Sequence, residues 1–330
     1  MTGRRHFAAL AGILGLVPSA RAVAQQADSG RIHTLSIRAD NDAFDFWQSP
    51  PERPDEDYSS GVQVIYDNGW SPWWAKHIWL GTRQCVGATP NCRTSREWIG
   101  QDMYTQERNA DYSLKTVGER PAAGWLYYGE ELRRIGQSDA QLLDLTYGVT
   151  GPPSLAQYTQ EFAHSLSPHY DRPIDWSHQL AFEPGFIATY EVDKLLTLLA
   201  VGPMAVQAIP SAAATAGNVF TRASGKLETR LGLDLPNPWL PIVNSEQPEI
   251  IASGAITGFA VARDLFLDGN TFRGGPRVGH EPVYLEREAG ITVSYRRVSL
   301  GYRAVFDEKT YATGHAHAWG SLTGGFAIGR

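Results

Sequence analysis

His164 is the first residue in this sequence whose surroundings suggest chemistry. It follows Gly151-Pro152-Pro153 and Ser154-Leu155-Ala156-Gln157, which has the form of a capping box, and Leu155, Tyr158, Phe162 and Leu166 then recur at helical spacing. The spacing predicts a helix over 155–166. At 100° per residue the four apolar side chains form one narrow stripe. Gln157, Gln160, Glu161 and His164 gather on the other side, so His164 is expected to point away from the packing face. An imidazole held there could take a proton as a general base, although a lone helical histidine is more often simply solvated.

Three other groupings have simpler readings. His315 and His317 would share a strand face and could bind zinc, but they sit just before Trp319-Gly320-Ser321-Leu322 and read as strand or loop packing. Asp264 and Asp268, next to Gly269-Asn270, read as loop-shaping carboxylates rather than paired acids. Cys85 and Cys92 enclose the turn-rich Gly87-Ala88-Thr89-Pro90-Asn91, which fits a disulfide across one hairpin loop. A metal site would need more thiol or imidazole nearby, and a redox site would favour Cys-x-x-Cys.

The elements that carry these residues are expected to be strands. The 33 Gly and 20 Pro among 330 residues punctuate the chain too often for a helical bundle. A formal charge of −6 gives no basic footprint for nucleic acid. Arg4 and Arg5, the apolar run Phe7 to Val17 and Ala22-Val23-Ala24 form an export leader, with cleavage expected to leave residues 25–330 as one exported domain. The run Leu195 to Gly217 comes near a membrane-spanning helix, but Pro203, Gln207 and Pro210 interrupt it.

Period-two alternation fits better. Leu35, Ile37 and Ala39 alternate with polar residues, as do Leu227, Leu231 and Leu233. Ile291, Val293 and Tyr295 lead through a turn to Val298, Leu300 and Tyr302, the clearest hairpin. Such segments in an exported chain predict an all-β fold, a single transmembrane antiparallel barrel of about 12 strands with a short helix. A soluble β-sandwich would alternate identically and hide its apolar face in a core. Trp70, Trp73, Trp74 and Trp79 crowd one connection, as interfacial girdle residues would.

Several phrases, in order along nearly the whole exported chain, resemble the outer-membrane lipid A 3′-O-deacylases, the LpxR-like proteins. They are Asn41-Asp42, Asp57-Tyr58-Ser59-Ser60-Gly61, Arg120-Pro121-Ala122-Ala123-Gly124-Trp125-Leu126-Tyr127, and Gly151-Pro152 through Gln160 to His164. Trp176, Gln179, Glu183-Pro184-Gly185, Gly217-Asn218-Val219, Phe266-Leu267-Asp268-Gly269-Asn270-Thr271-Phe272 and Trp319-Gly320-Ser321-Leu322 complete the set. The resemblance implies a twelve-stranded outer-membrane barrel whose site lies between the wall and a helix on the outward-facing side. It also implies Ca²⁺-dependent removal of the 3′-linked acyloxyacyl group from lipid A, with lipopolysaccharide as the substrate and outer-membrane lipids around it; no protein partner is evident in the sequence.

Carried over by position, Asn41 and Asp42 match the metal and oxyanion side, Ser59 the motif hydroxyl, and His164 the general base. Ca²⁺ prefers oxygen ligands, and water rather than a serine would be the nucleophile. An acid should orient the second nitrogen of His164. Asp171 ranks first for that role, ahead of Asp175, with Glu161 one turn away. Arg108 and Arg120 are the candidates for meeting lipid A phosphates. The sequence departs from the family pattern at Ser59-Ser60, Ala122 and Ser177, and ends in Arg330 rather than an aromatic residue, which bears on substrate choice before fold. Two other functions fit the same framework: a non-enzymatic barrel, porin-like or structural, and a hydrolase of another acylated lipid such as a phospholipid.

Overall fold

The computed structural model describes residues 33–46, 56–67, 72, 74–75, 78, 83–85, 90–107, 113–115, 117–165, 174–240 and 245–328. The leader lies outside the described residues. The strands are β1 (His33–Asn41), β2 (Asp57–Asp67), β3 (Cys92–Thr105), β4 (Ala123–Ile135), β5 (Asp139–Thr150), β6 (Glu183–Lys194) and β7 (Leu196–Val201). They continue with β8 (Met204–Gly217), β9 (Phe220–Leu233), β10 (Ser245–Asp264), β11 (Val283–Arg296), β12 (Val298–Asp307) and β13 (His317–Ile328). All form one antiparallel sheet, which closes because β1 pairs with β13 and β6 pairs with β8.

Closure uses twelve strands, and β7 is the extra one. The register that pairs Asp193 with Ser211 runs on to pair Leu196 with Ala208, so β7 continues β6 along the same face of β8 after a break at Leu195. The break lies opposite Ile209 and Pro210. Proline has no N–H to give to the ladder, and the Leu195 amide turns instead to the Ser138 carbonyl at 2.8 Å. The apolar run over 195–217 is therefore strand, with its Gly202-Pro203 pair in the turn between β7 and β8.

The two faces of the wall decide between membrane barrel and soluble sandwich. Ile291, Val293, Tyr295, Val298 and Leu300, the predicted hairpin, are all between 40% and 62% exposed on the outside. Residues of the opposite alternation on the same two strands, Tyr284, Glu286 and Asp307, line a lumen of about 500 Å³ together with other charged and aromatic side chains. A soluble sandwich would bury the first set and expose the second. Inside the lumen several of the charges are paired, which offsets the cost of burying them. Arg96 binds both oxygens of Asp67 at 3.0 and 3.1 Å, and Arg133 reaches the same carboxylate. Arg38 meets Asp40 at 3.2 Å, and the Tyr58 hydroxyl donates to Asp40 at 2.9 Å.

The paired residues His33 and Ile328 lie at one end of the barrel, where the Cys85–Cys92 disulfide forms as expected, with 4.8 Å between Cα atoms. Trp239 packs beside it against Ile135 and Ile209 and donates to Asp193 at 2.8 Å. Of the four tryptophans read as a girdle, only Trp74 is described, and its indole donates to Glu130 at 2.7 Å. The opposite end carries the connections over 42–56, 106–122, 151–182, 265–282 and 308–316, against 68–91 and 234–244 at the disulfide end, which marks it as the outer end.

At the outer end the FLDGNTF phrase folds inward. Asp264 caps a single helical turn, α2 (Leu265–Asp268), by accepting from the Phe266 amide at 2.9 Å. Phe266 stacks on Tyr104 with ring centres 4.2 Å apart and packs beside Phe220 and Trp125, so it plugs the lumen mouth. The reading of Asp264 and Asp268 as loop-shaping carboxylates holds, since Asp268 accepts from the Asp264 amide and from His280, both at 2.8 Å. Asn270 is the fastening next to it. It accepts from the Ala181 amide and donates to the Ala181 carbonyl and to Glu183, while Glu183 also accepts from Asn218 and the Thr271 amide.

Two outcomes are expected from this architecture. Purified protein in planar lipid bilayers should show no stable ion conductance, and porin-like steps would show that α2 does not close the mouth. Asn270→Ala strands the Ala181 amide and carbonyl, which should cost about 1–3 kcal/mol of stability, read as a lowered unfolding midpoint in detergent.

Candidate active site

The outer end of β1 begins the site. Arg38 and Asp40 point into the lumen, so Ile37, Ala39 and Asn41 face outward. After Asn41 the chain leaves the ladder in a 3₁₀ turn, Asp42–Phe44, which Asn41 caps by accepting from the Ala43 amide at 2.8 Å. The same side chain donates to the Ser59 carbonyl at 3.0 Å. Asp42 is buried, and one of its oxygens accepts from the Glu56 amide at 3.1 Å. The turn can lie this close to the wall because Gly320 has no side chain: a Cβ there would come within 2.3 Å of the Phe44 carbonyl oxygen.

Ser59 sits in an irregularity of the β2–β3 ladder, where the register shifts between Tyr58 and Ser60. Its buried hydroxyl donates to the Met103 carbonyl at 3.3 Å. That bond ties β2 to β3, and Ser60 stands between Asn41 and Met103 in register. Met103 in turn packs against Ala122, Ala156 and Trp176. Ala122, which replaces a tyrosine of the family pattern, is thus part of the floor beneath the helix.

That helix, α1 (Ala156–Ser165), forms where the spacing predicts it. Only half of the capping box is made. The Ser154 hydroxyl lies 3.5 Å from the Ala156 amide, whereas Gln157 bonds Glu161 at 2.8 Å instead of reaching back. The helix start lies against the wall through Gly124, where a Cβ would stand 2.2 Å from that of Ala156, and Gln101 of β3 holds the Ser154 carbonyl at 2.6 Å.

The packing face of α1 is the reverse of the one expected. Ala156 and Gln160 are buried, and Gln160 accepts from the Trp176 indole at 2.9 Å. Leu155, Tyr158 and Phe162 are exposed by 50%, 66% and 66%, and Leu166 lies outside the described residues. Half-buried His164 follows Gln160 by one turn on the wall-facing line. The apolar-in rule assumes water on the far side of a helix. Here the protein supplies a polar partner for the buried face, the Trp176 indole on Gln160.

Asn41, Asp42, Ser59 and the helix carrying His164 are therefore linked along the outer wall from β1 to β4. The lumen lies on the other side of that wall. Asp171 lies outside the described residues. The carboxylate of Asp175 accepts from Ser177 and from His178, and these bonds hold it below the usual carboxylate range.

Arg120 does not meet substrate phosphates. It is buried, paired with Asp57 at 3.0 Å and stacked over Tyr104, and Arg108 lies outside the described residues. His315 bonds Glu107 at 2.7 Å while His317 meets the Tyr58 carbonyl at 3.3 Å, so the two are engaged separately. Among the described residues no group of three or more His, Cys, Asp or Glu is placed to hold a metal. The donors at the Asn41–Asp42 turn are a carboxylate, an amide oxygen and main-chain carbonyls, an oxygen set that suits Ca²⁺ and not zinc.

Sequence reasoning missed Gln101 and Met103, which join β3 to the helix and to Ser59. The period of two along β3 would have put both on the outer face. It also missed Phe46, which is 67% exposed and stacks on Tyr302 of β12 beside the Asp42 turn.

A family profile described as "Outer membrane protein LpxR" matches residues 8–328. No curated protein sequence matches the chain. Among solved structures, LpxR from Salmonella typhimurium superposes with a TM-score of 0.71 at 19% identity, covering 89% of this chain and 99% of that one. The β domain of the Bordetella autotransporter BrkA gives a TM-score of 0.44 at 10% identity, covering 92% of this chain and 100% of that one. The twelve-stranded closure, the plugged lumen and the outer-wall helix thus accompany a match over almost the whole length, and the chain belongs to the outer-membrane protein LpxR family.

Proposed function

We propose that the protein is a lipid A deacylase that hydrolyses the 3′-O-linked acyloxyacyl ester in the outer membrane, after export with loss of residues 1–24. The observation that carries this reading is the linkage of Asn41, Asp42, Ser59 and the helix bearing His164 along the lipid-facing wall rather than in the lumen. A channel would keep its functional side chains inside. An enzyme acting on a membrane lipid needs them where this chain has them.

In this reading His164 takes a proton from water, whose oxygen attacks the ester carbonyl carbon. The C–O bond then breaks as the proton held by His164 passes to the departing 3′ oxygen, which releases the acyloxyacyl chain as its acid and leaves the 3′ hydroxyl on the sugar. Asn41 and Asp42 would hold Ca²⁺, which supplies charge stabilisation for an ester oxygen as it becomes negative. Asn41 is already pinned by two hydrogen bonds, so its amide is oriented before substrate arrives. Ser59 fixes the spacing of β2 and β3 through the Met103 carbonyl. Asp171 keeps its proposed role of orienting His164.

Mass spectrometry of lipid A incubated with purified protein and Ca²⁺ should show loss of the 3′ acyloxyacyl mass. His164→Ala should slow that loss about 10²–10⁴-fold, the usual contribution of a general base. Equal activity in the variant would overturn the mechanism. Loss of a chain from phospholipid alone would transfer the site to another acylated lipid, and no mass change in any lipid would favour the non-enzymatic barrel. Asp42→Asn should raise the Ca²⁺ concentration needed for half-maximal rate, and a rate indifferent to Ca²⁺ in both proteins would remove the metal from the reaction.

A further inference from the structure

The exposed stripe of α1 has no partner among the described residues, yet it is the most apolar face of the helix. Tyr158 and Phe162 lie nearly opposite the buried Ala156 and Gln160, and Leu155, just before the helix, is exposed as well. Between these two faces, on one edge, run Gln157 and Glu161, bonded to each other at 2.8 Å. On the other edge run Thr159 and Ala163. The helix therefore has four sides, one against the wall, one apolar and facing away, one polar, and one weakly polar.

The wall next to it is already lipid-facing. Gln101 holds the Ser154 carbonyl, and two residues back along β3 lies Ile99, which is 54% exposed. Ile99 stands in a row with Val64, Tyr128, Tyr147 and Phe186 through the registers of β2 to β6, and Val64, Tyr147 and Phe186 are exposed as well. Two residues of strand span roughly 7 Å, less than the diameter of a helix with its side chains. The start of α1 thus lies within one helix diameter of the apolar belt of the barrel.

We propose that α1 is seated in the outer leaflet, with Leu155, Tyr158 and Phe162 among the acyl chains and the Gln157–Glu161 edge toward the headgroups. A lipid would then reach Asn41, Asp42, Ser59 and His164 sideways, from the plane of the bilayer. The seating of the helix depends only on the barrel and its belt. The sideways approach rests on the deacylase reading.

The protein contains no free cysteine, so a single introduced thiol can be labelled cleanly. Cysteine at positions 157, 158, 161 and 162 in turn, carrying a nitroxide in proteoliposomes, reports collision with oxygen, which concentrates in acyl chains, against a water-soluble nickel chelate. Oxygen should dominate for Tyr158→Cys and Phe162→Cys, and nickel for Gln157→Cys and Glu161→Cys. Nickel dominance at all four would place the helix in water and overturn the proposal.

A second measurement addresses the approach. Phe162→Asp should lower the rate on lipid A in vesicles about tenfold or more, in line with loss of one buried aromatic ring, and change the rate on detergent-dispersed lipid A far less. Equal losses on both substrates would overturn the sideways route. A lipid-seated helix in a protein that deacylates neither substrate would leave the seating standing and dismiss the deacylase reading instead.

Discussion

Inside a bilayer no water is available for backbone amides and carbonyls, so every strand edge must be paired within the protein. Pairing β1 with β13 and β6 with β8 meets that constraint. It also fixes which side chains can do what. Once the sheet is closed, period two assigns alternate residues to lipid or to lumen, and the lumen receives Arg38, Asp40, Arg96 and Asp102 while the outside receives Ile99, Leu300 and Phe186. One place where the ladder falters, Leu195, lies opposite Ile209 and Pro210, and proline cannot donate.

With a sealed wall, function can sit inside or outside it. The lumen is occupied by ion pairs and closed at its outer mouth by Phe266, and the loops around that mouth are held together by Glu183 and Asn270. Much of the sequence resemblance to the family falls on these fastenings. Glu183-Pro184-Gly185, Gly217-Asn218 and the FLDGNTF phrase build the outer end and do not approach the wall site. Trp319-Gly320 and Ala123-Gly124-Trp125 serve both sides, since each tryptophan faces the lumen while its neighbouring glycine admits the Phe44 carbonyl or the start of α1.

The outer wall shows how a site is built on a surface. Asn41 orients itself through the turn it caps, Ser59 is buried by the irregularity it occupies, and Gln160 is anchored by Trp176. Each polar group is fixed by short-range bonds to neighbouring strands. The helix adds His164 to this frame while turning its apolar side away.

The strands, the hairpin at 291–302, the disulfide and the helix over 156–165 were legible in the sequence, because each follows from spacing between neighbours: period two, helical period, two cysteines around a turn. The choice of barrel over sandwich came from the resemblance to the family and not from the pattern, since both alternate identically and only closure shows which face is buried. The burial of Arg120 against Asp57 was hidden for a similar reason, as an arginine looks the same whether it waits for a phosphate or neutralises a carboxylate from another strand. The orientation of α1 was read in reverse. Its stripe is plain in the sequence, but which way an apolar stripe turns depends on whether the medium beyond it is water or lipid, and that is decided by the wall on which the helix lies.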